Sequence, residues 1–262
     1  MTKLEQVQGV TQLDQCDTSI SDPIEALAHT VYGSGALNNR FYDLWISKPL
    51  KPKQIAVFAR NYGEFNRTFP EVLAVMLSNT KNIEARTEYA KTLYSEMGSG
   101  QLDKVHSVLF DAWLFELGSQ LGTPETLTWK NIERDQKVLP QTLALIEGEK
   151  EMYANDNATA SGAQLALEWQ AYTMLRRMYD GALQYKYLWS NEDSFHEACE
   201  YFYAHIGATE KEHKIESLNG AKQFHDGLDS KRRIEEGFNR HLQLFEDFWN
   251  AIGDEMQAAG VD

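Results

Sequence analysis

Apolar residues recur at three- and four-residue steps along much of the chain, which is the spacing of amphipathic helices. Near the C-terminus this spacing connects Ile234, Phe238, Leu242, Phe245 and Trp249. Alternating β-branched runs joined by Asn-Gly or Asp-Gly turns, which are typical of β-hairpins, do not occur in the sequence. The pattern therefore predicts an all-α fold.

Proline and glycine indicate where helices begin and end. All six prolines lie in the first 140 residues, so the rest of the chain can hold long helices. Asp22 before Pro23 and Thr123 before Pro124 are typical of helix starts. We expect one domain over residues 1–262, with a poorly ordered tail over 1–21 and a bundle of eight or nine helices. The predicted helices cover residues 23–32, 36–47, 52–79, 82–97, 102–121, 139–154, 159–189, 191–219 and 229–258.

The charge balance excludes some classes of partner. The sequence has 39 Asp and Glu residues against 25 Lys and Arg, a formal net charge of −14. Such a surface repels phosphate backbones and anionic lipids, so we expect neither a nucleic acid nor a membrane as partner. The longest strictly apolar run, Val72 to Leu77, has six residues, whereas a helix that spans a bilayer needs ~20. The polar, acidic N-terminal segment and the widely separated Cys16 and Cys199 favour a cytoplasmic protein.

Acidic residues three positions before a histidine are the main chemical feature. In a helix this spacing places both side chains on one face, a device that helical bundles use to bind metal ions. The motif occurs three times, as Asp103 with His106, Asp193 with His196, and Glu210 with His213. His205 lies close before the third copy, so this segment holds three candidate ligands within nine residues.

Two other acidic positions differ in their setting. Glu168 lies in an apolar stretch, between Leu167 and Trp169. Either it faces water, or it is buried and needs a partner, because an unpaired buried carboxylate costs several kcal/mol. The acidic run from Glu147 to Glu151, in contrast, is predicted to be a solvated helix face.

The order of these residues resembles the haem-oxygenase-like di-iron oxidases, in the branch related to the chlamydial death-domain-associating protein. In the family pattern, a Glu is followed ten residues later by a His, with a glycine-rich interruption between them. A second Glu comes next on a long helix. The pattern ends with a His, an acidic residue and another His. The resemblance extends from about residue 41 to residue 219. The matching positions are Glu96, His106, Glu168, His205, Glu210 and His213.

This resemblance implies a haem-oxygenase-like helical bundle that binds two iron ions, with manganese as a competitor, and uses O2 as co-substrate. The implied substrate is a small organic molecule such as an amine, an amino acid or a fatty acid, and a homodimer is possible. One metal site would contain Glu96, Glu168 and His205. The other would contain His106, Glu210 and His213.

This sequence departs from the family pattern in two ways, and each departure leads to a structural prediction. Glu96 and His106 are about 280° apart around an ideal helix, so they can share a metal site only if the segment from Gly98 to Gly100 interrupts the helix. His205 and His213 are eight residues apart where the family has seven. A π-bulge would return His213 to the inner face; without it, Thr209 and Glu212 would take the ligand positions.

Three other interpretations are open. In a ferritin-like arrangement, two lone carboxylates and two acid-x-x-His pairs bind the metals, and Glu96 and His205 play no part. A metal-free enzyme of the same fold, thiaminase-like or related to pyrroloquinoline-quinone enzymes, would use carboxylates as acid or base. A non-catalytic helical interaction protein would present its acidic surface to a basic partner. The ferritin-like ligands would be Glu71, Asp103, His106, Glu168, Glu210 and His213. In the di-iron interpretation, Glu64 and Glu71 are reserve carboxylates on an earlier helix.

Overall fold

The computed structural model describes residues 21–205 and 209–261, with side chains described outside 205–213. The described residues form α-helices and short 3₁₀ segments and contain no strand, so the prediction of an all-α fold is confirmed. No helix in these ranges is long and apolar enough to cross a bilayer. The helices are α1 Pro23–His29, α2 Arg40–Ser47, α3 Pro52–Asn79, α4 Ile83–Glu96, α5 His106–Gln120, α6 Trp129–Asp135, α7 Pro140–Ala154, α8 Asn157–Ala182, α9 Glu192–Ala198, α10 Glu200–His205, α11 Thr209–Gln223 and α12 Leu228–Ala259.

The described ranges contain twelve α-helices, so the prediction of eight or nine was wrong. The predicted helix over 191–219 is divided into α9, α10 and α11, and α6 was not predicted. Helices this short have little stability of their own and depend on tertiary contacts that a local pattern does not contain. For α6 such a contact is the guanidinium of Arg67, whose central carbon lies 3.4 Å from the centroid of a Trp129 ring.

The two predicted helix starts have different outcomes. The side chain of Asp22 accepts hydrogen bonds from the backbone N–H groups of Ile24 and Glu25 at 2.9 and 3.1 Å, so it caps α1 as predicted. Thr123 makes no side-chain capping bond, and Pro124 begins a 3₁₀ segment instead of an α-helix. The second prediction was therefore wrong.

Helix α8 lies at the centre of the bundle and packs against α2, α7, α11 and α12. Its contact with α12 is close because glycines face the partner backbone. A Cβ on Gly162 would lie 2.0 Å from the carbonyl oxygen of Ile234, and one on Gly237 would lie 2.1 Å from that of Thr159. These two glycines therefore set the separation between α12 and the helix that carries Glu168.

Aromatic rings fill the core between α2, α3 and α12. Phe41 stacks on Trp249 with ring centroids 4.6 Å apart. Tyr62 also stacks on Trp249, and it stacks on Phe58 as well. Trp45 connects this cluster to α8, because its indole N–H donates to the carbonyl oxygen of Met178 at 2.8 Å. The core thus holds Tyr62 and α8 in fixed relative positions.

Candidate metal centre

The chain between α4 and α5 breaks the helix at the predicted glycines. Gly98, Ser99 and Gly100 all have positive φ angles, of 65°, 51° and 84°. Gly98 is also required by space, since a Cβ there would lie 2.5 Å from the backbone of Lys104 and Val105. The predicted interruption is confirmed, and it lets the chain double back instead of continuing α4.

The interruption brings the last residue of α4 against the first residue of α5. The imidazole Nδ1 of His106 lies 2.8 Å from a carboxylate oxygen of Glu96, and both side chains are largely buried. Glu96 and His106 thus meet although they lie on different helices.

Glu168 is buried in the middle of α8, with 5% of its surface exposed, so it does not face water. Its carboxylate oxygen Oε1 accepts a hydrogen bond from the amide Nε2 of Gln164 at 2.6 Å. The amide oxygen of Gln164 accepts in turn from the hydroxyl of Tyr153 at 2.7 Å. Gln164 is therefore one partner of this buried carboxylate, and it carries no motif in the sequence that would have indicated this.

These three candidate ligands line one cavity with a volume of about 60 Å³. One part of its wall is polar and contains Glu96, His106 and Glu168, and the rest is largely apolar. The cavity lies between α3, α4, α5, α8 and α10. Its other lining residues are Tyr62, Phe65, Asn66, Phe69, Thr92, Ser95, Leu167, Ala171, Met174, Leu175, Tyr201 and Ala204.

Two tyrosines beside the cavity form a polar pair within this wall. The hydroxyl groups of Tyr62 and Tyr201 are 2.5 Å apart, and Asn66 donates to the Tyr201 hydroxyl at 3.3 Å. Burial raises the pKa of both phenols well above 10, with a further increase from the charge of Glu96, so both keep their protons near neutral pH. Asn66 was missed in the sequence; its only signal is a polar residue one helical turn after Tyr62 on an otherwise apolar face.

The reserve carboxylates and the ferritin-like ligands do not converge on this cavity. Glu64 pairs with the guanidinium of Arg60, and Glu71 is exposed on α3. Asp103 is exposed in the 3₁₀ turn Leu102–Lys104 before α5. Of the ferritin-like set, the described side chains therefore bring only His106 and Glu168 to the cavity wall.

The remaining candidate ligands lie outside the described side chains. They are His205 at the end of α10 and Glu210 and His213 in α11, together with the competing pair Thr209 and Glu212. The prediction of a π-bulge, and the choice between the two registers, rest on this segment as well. Among the described residues alone, no group of three or more His, Cys, Asp or Glu side chains could hold a metal ion.

The described residues do not form a complete metal site by themselves, but their chemistry suits a hard or borderline cation such as ferrous iron. They offer carboxylate oxygens from Glu96 and Glu168 and the imidazole of His106 on the wall of one cavity. Glu168 is a carboxylate at 5% exposure, which a cation would stabilise by neutralising it. The chemistry of these residues thus matches the metal that the family resemblance implies.

A second buried polar group lies away from this cavity, where α7, α8 and α12 meet. Glu149, Gln170 and His241 are fully buried. The imidazole Nε2 of His241 lies 2.9 Å from the amide of Gln170, and its Nδ1 lies 3.4 Å from Glu149 Oε1. The prediction of a solvated face for the run from Glu147 to Glu151 was therefore wrong for Glu149, although Glu147 and Glu151 are exposed.

This pair predicts an unusual pH dependence of stability. Burial raises the pKa of Glu149 to about 8 and lowers that of His241 to about 3, so the folded pair holds one proton between these values, whichever residue carries it. Unfolded, the carboxyl loses its proton near pH 4.5 and the imidazole near pH 6.5. Between pH 6.5 and 8 the folded state therefore holds one proton that the unfolded chain has lost. As pH rises through this range, the free energy of unfolding should fall by about 2 kcal/mol because of this pair.

A Glu149→Gln variant should not show this decrease, because glutamine does not titrate. Below pH 6.5 the variant should instead lose stability as pH falls, since His241 is then protonated only in the unfolded chain. Urea unfolding of parent and variant at pH 5, 6.5 and 8 measures both effects. Equal pH profiles for the two proteins would contradict the assignment.

A family model described as iron-containing redox enzyme matches residues 56–254, which is most of the chain. No curated protein matches the chain in sequence.

Solved structures show the same fold at low sequence identity. A CADD-like protein of unknown function from Nostoc punctiforme has a TM-score of 0.68 at 14% identity, over 88% of this chain and 95% of that chain. A TenA homolog from Pseudomonas syringae pv. tomato has a TM-score of 0.68 at 14% identity, over 87% and 91%. A domain of unknown function with a haem oxygenase-like fold from Shewanella denitrificans has a TM-score of 0.61 at 11% identity, over 89% and 90%.

Proposed function

Because the chain belongs to the family of iron-containing redox enzymes, we propose that it is a non-haem di-iron oxidoreductase that uses O2 to oxidise a small organic molecule. The observation that carries the proposal is that Glu96, His106 and Glu168 line the same cavity, with Glu96 and His106 in contact.

In this proposal, Glu96, His106 and Glu168 bind the iron ions together with His205, Glu210 and His213. Manganese is a possible substitute, because carboxylate and imidazole ligands suit both metals. Bound iron would supply the electron-transfer chemistry that reduces O2 while the substrate is oxidised. The proposed substrate class, an amine, an amino acid or a fatty acid, follows the family resemblance.

The protein's own contribution is to hold the ligands and to shape the space beside them. Phe65, Phe69 and Met174 give the cavity an apolar wall, which keeps bulk water away from the reacting groups. The hydroxyl groups of Tyr62 and Tyr201 lie within this wall and, because they stay protonated, provide hydrogen-bond donors rather than negative charge. A substrate with a polar group and an apolar body would match a cavity wall that combines hydrogen-bond donors with apolar side chains.

The proposal is tested by loading the metal-free protein with ferrous iron under anaerobic conditions and then adding O2. We expect about two iron ions per chain and a transient visible absorption band after O2 is added. A Glu71→Ala variant is the matched control, because it removes an exposed carboxylate of α3 and should load like the parent. A parent protein that binds no iron and shows no O2-dependent absorbance change would refute the proposal.

A metal-free enzyme of the same fold is the second candidate. It is favoured by one observation, the TenA homolog whose fold matches with a TM-score of 0.68. In that case Glu96 and Glu168 would act as acid or base toward an organic ligand in the cavity. The same loading experiment separates the two candidates, since the metal-free enzyme would bind no iron with useful affinity.

A further inference from the structure

A chain of two buried hydrogen bonds leads from α7 to Glu168. Tyr153 on α7 is bonded to the amide oxygen of Gln164 at 2.7 Å, and the amide nitrogen of Gln164 is bonded to Glu168 Oε1 at 2.6 Å. The exposed fractions of Tyr153, Gln164 and Glu168 are 0%, 3% and 5%. The chain is therefore shielded from competing water, and its bonds are correspondingly strong.

The direction of both bonds follows from the carboxylate. An ionised carboxylate can only accept, so the amide of Gln164 must present its N–H to Glu168 and its oxygen to Tyr153. Tyr153 must then donate. It keeps the proton for this bond, because burial and the charges of Glu149 and Glu168 raise the pKa of its phenol well above 10.

We infer that Gln164, oriented by Tyr153, is a positioning residue that holds the carboxylate of Glu168 in one orientation on the cavity wall. The inference rests on the proposed function, in which Glu168 binds iron. A short amide bond to an ionised carboxylate is among the stronger hydrogen bonds in proteins. Without this bond the carboxylate of Glu168 could rotate and would be a poorer metal ligand.

The test uses cobalt(II) as the probe, because its visible absorption reports the number of ligand atoms. Gln164→Met keeps the size of the side chain but cannot donate to Glu168. We expect it to weaken cobalt binding 10- to 100-fold, as loss of a group that orients a metal ligand does. Its cobalt spectrum should also differ from that of the parent in band position or intensity, since the carboxylate of Glu168 is then no longer held in one orientation.

Tyr153→Phe is the second variant and removes only the hydroxyl that orients the amide. We expect it to weaken cobalt binding as well, but by less than Gln164→Met. If Gln164→Met does not fold, this variant tests the positioning role of Gln164. Thr142→Val is the matched control on α7. It removes another buried hydrogen bond, from Thr142 Oγ1 to Asn61 at 2.7 Å, and should leave cobalt affinity and spectrum unchanged.

The outcomes separate this inference from the proposed function. If Glu168→Ala loses cobalt binding while Gln164→Met and Tyr153→Phe match the parent in affinity and spectrum, the positioning role is refuted and the proposed function remains. If Thr142→Val changes affinity and spectrum as much as Gln164→Met, the effect is general loosening of α7 and the inference also fails. If Glu168→Ala binds cobalt like the parent, both are refuted.

Discussion

Replacement of Glu96 by alanine is expected to lower iron affinity by a factor of ~100 or more and to leave the purified protein nearly free of metal. The reason is the pairing of Glu96 with His106, whose imidazole Nδ1 lies 2.8 Å from the carboxylate. Removing this carboxylate takes away one proposed ligand and also the side chain that lies against a second. The loss should therefore exceed that of a single independent contact.

Iron per chain and the dissociation constant for ferrous iron measure this effect, with circular dichroism as a check on folding. Glu71→Ala is again the matched control, because Glu71 is an exposed carboxylate that does not line the cavity. The reverse result, normal loading of Glu96→Ala and loss of iron in Glu71→Ala, would indicate the ferritin-like arrangement.

His205→Ala extends the same test to the segment whose side chains are not described. In the proposed site His205 is a ligand, so the variant should lose iron about as severely as Glu96→Ala. In the ferritin-like arrangement His205 has no part. A His205→Ala protein that loads fully would remove His205 from the proposed ligand set.

Gly162→Ala is expected to lower the free energy of unfolding by about 3 kcal/mol or more, or the melting temperature by about 10 °C. Alanine normally stabilises a helix relative to glycine by up to ~1 kcal/mol. At this position the new Cβ would lie 2.0 Å from the carbonyl oxygen of Ile234. A backbone atom cannot rotate away, so α8 and α12 must separate by more than 1 Å to restore normal contact.

Gly220→Ala in α11 is the control for this prediction. The nearest atom to a Cβ at Gly220 is the hydroxyl of Tyr89 at 3.8 Å, which is ordinary contact. This variant should gain up to ~1 kcal/mol in the free energy of unfolding. Urea unfolding of both variants measures whether each substitution raises or lowers the free energy of unfolding. A stabilised Gly162→Ala protein would contradict the close packing of α8 against α12.

Two of the three long helices, α3 and α12, could be read from the sequence because their causes are local. The predicted helix over 159–189 extends seven residues beyond α8, which ends at Ala182 and is followed by a 3₁₀ segment. The predicted helix over 52–79 matches α3, Pro52–Asn79, and the prediction of 229–258 differs from α12 by one residue at each end. Periodic apolar positions and the missing N–H of proline are sufficient for such boundaries. In contrast, α6 and the division of 191–219 depend on contacts with other elements, so the local pattern did not indicate them.

The candidate site shows the same division. The ten-residue spacing of Glu96 and His106 was legible in the sequence, and so were the glycines that permit the chain to break between them. The structure added the positive φ angles and the 2.8 Å contact that make the two residues neighbours. For Glu168 the sequence left two outcomes open, and only the packing of α8 against several neighbouring helices selected the buried one.

Glu149 and Gln164 show most clearly what the sequence did not contain. Glu149 lies in an acidic run that is typical of a solvated face, yet it is fully buried between α7, α8 and α12. Gln164 has no sequence signature, yet it holds the carboxylate of Glu168. Helix formation and chain breaks follow from each residue and its near neighbours, so the sequence by itself determined them. Which side of a helix is buried, and which polar groups meet there, depends on the free energy of packing against distant segments, and only the tertiary structure decided that.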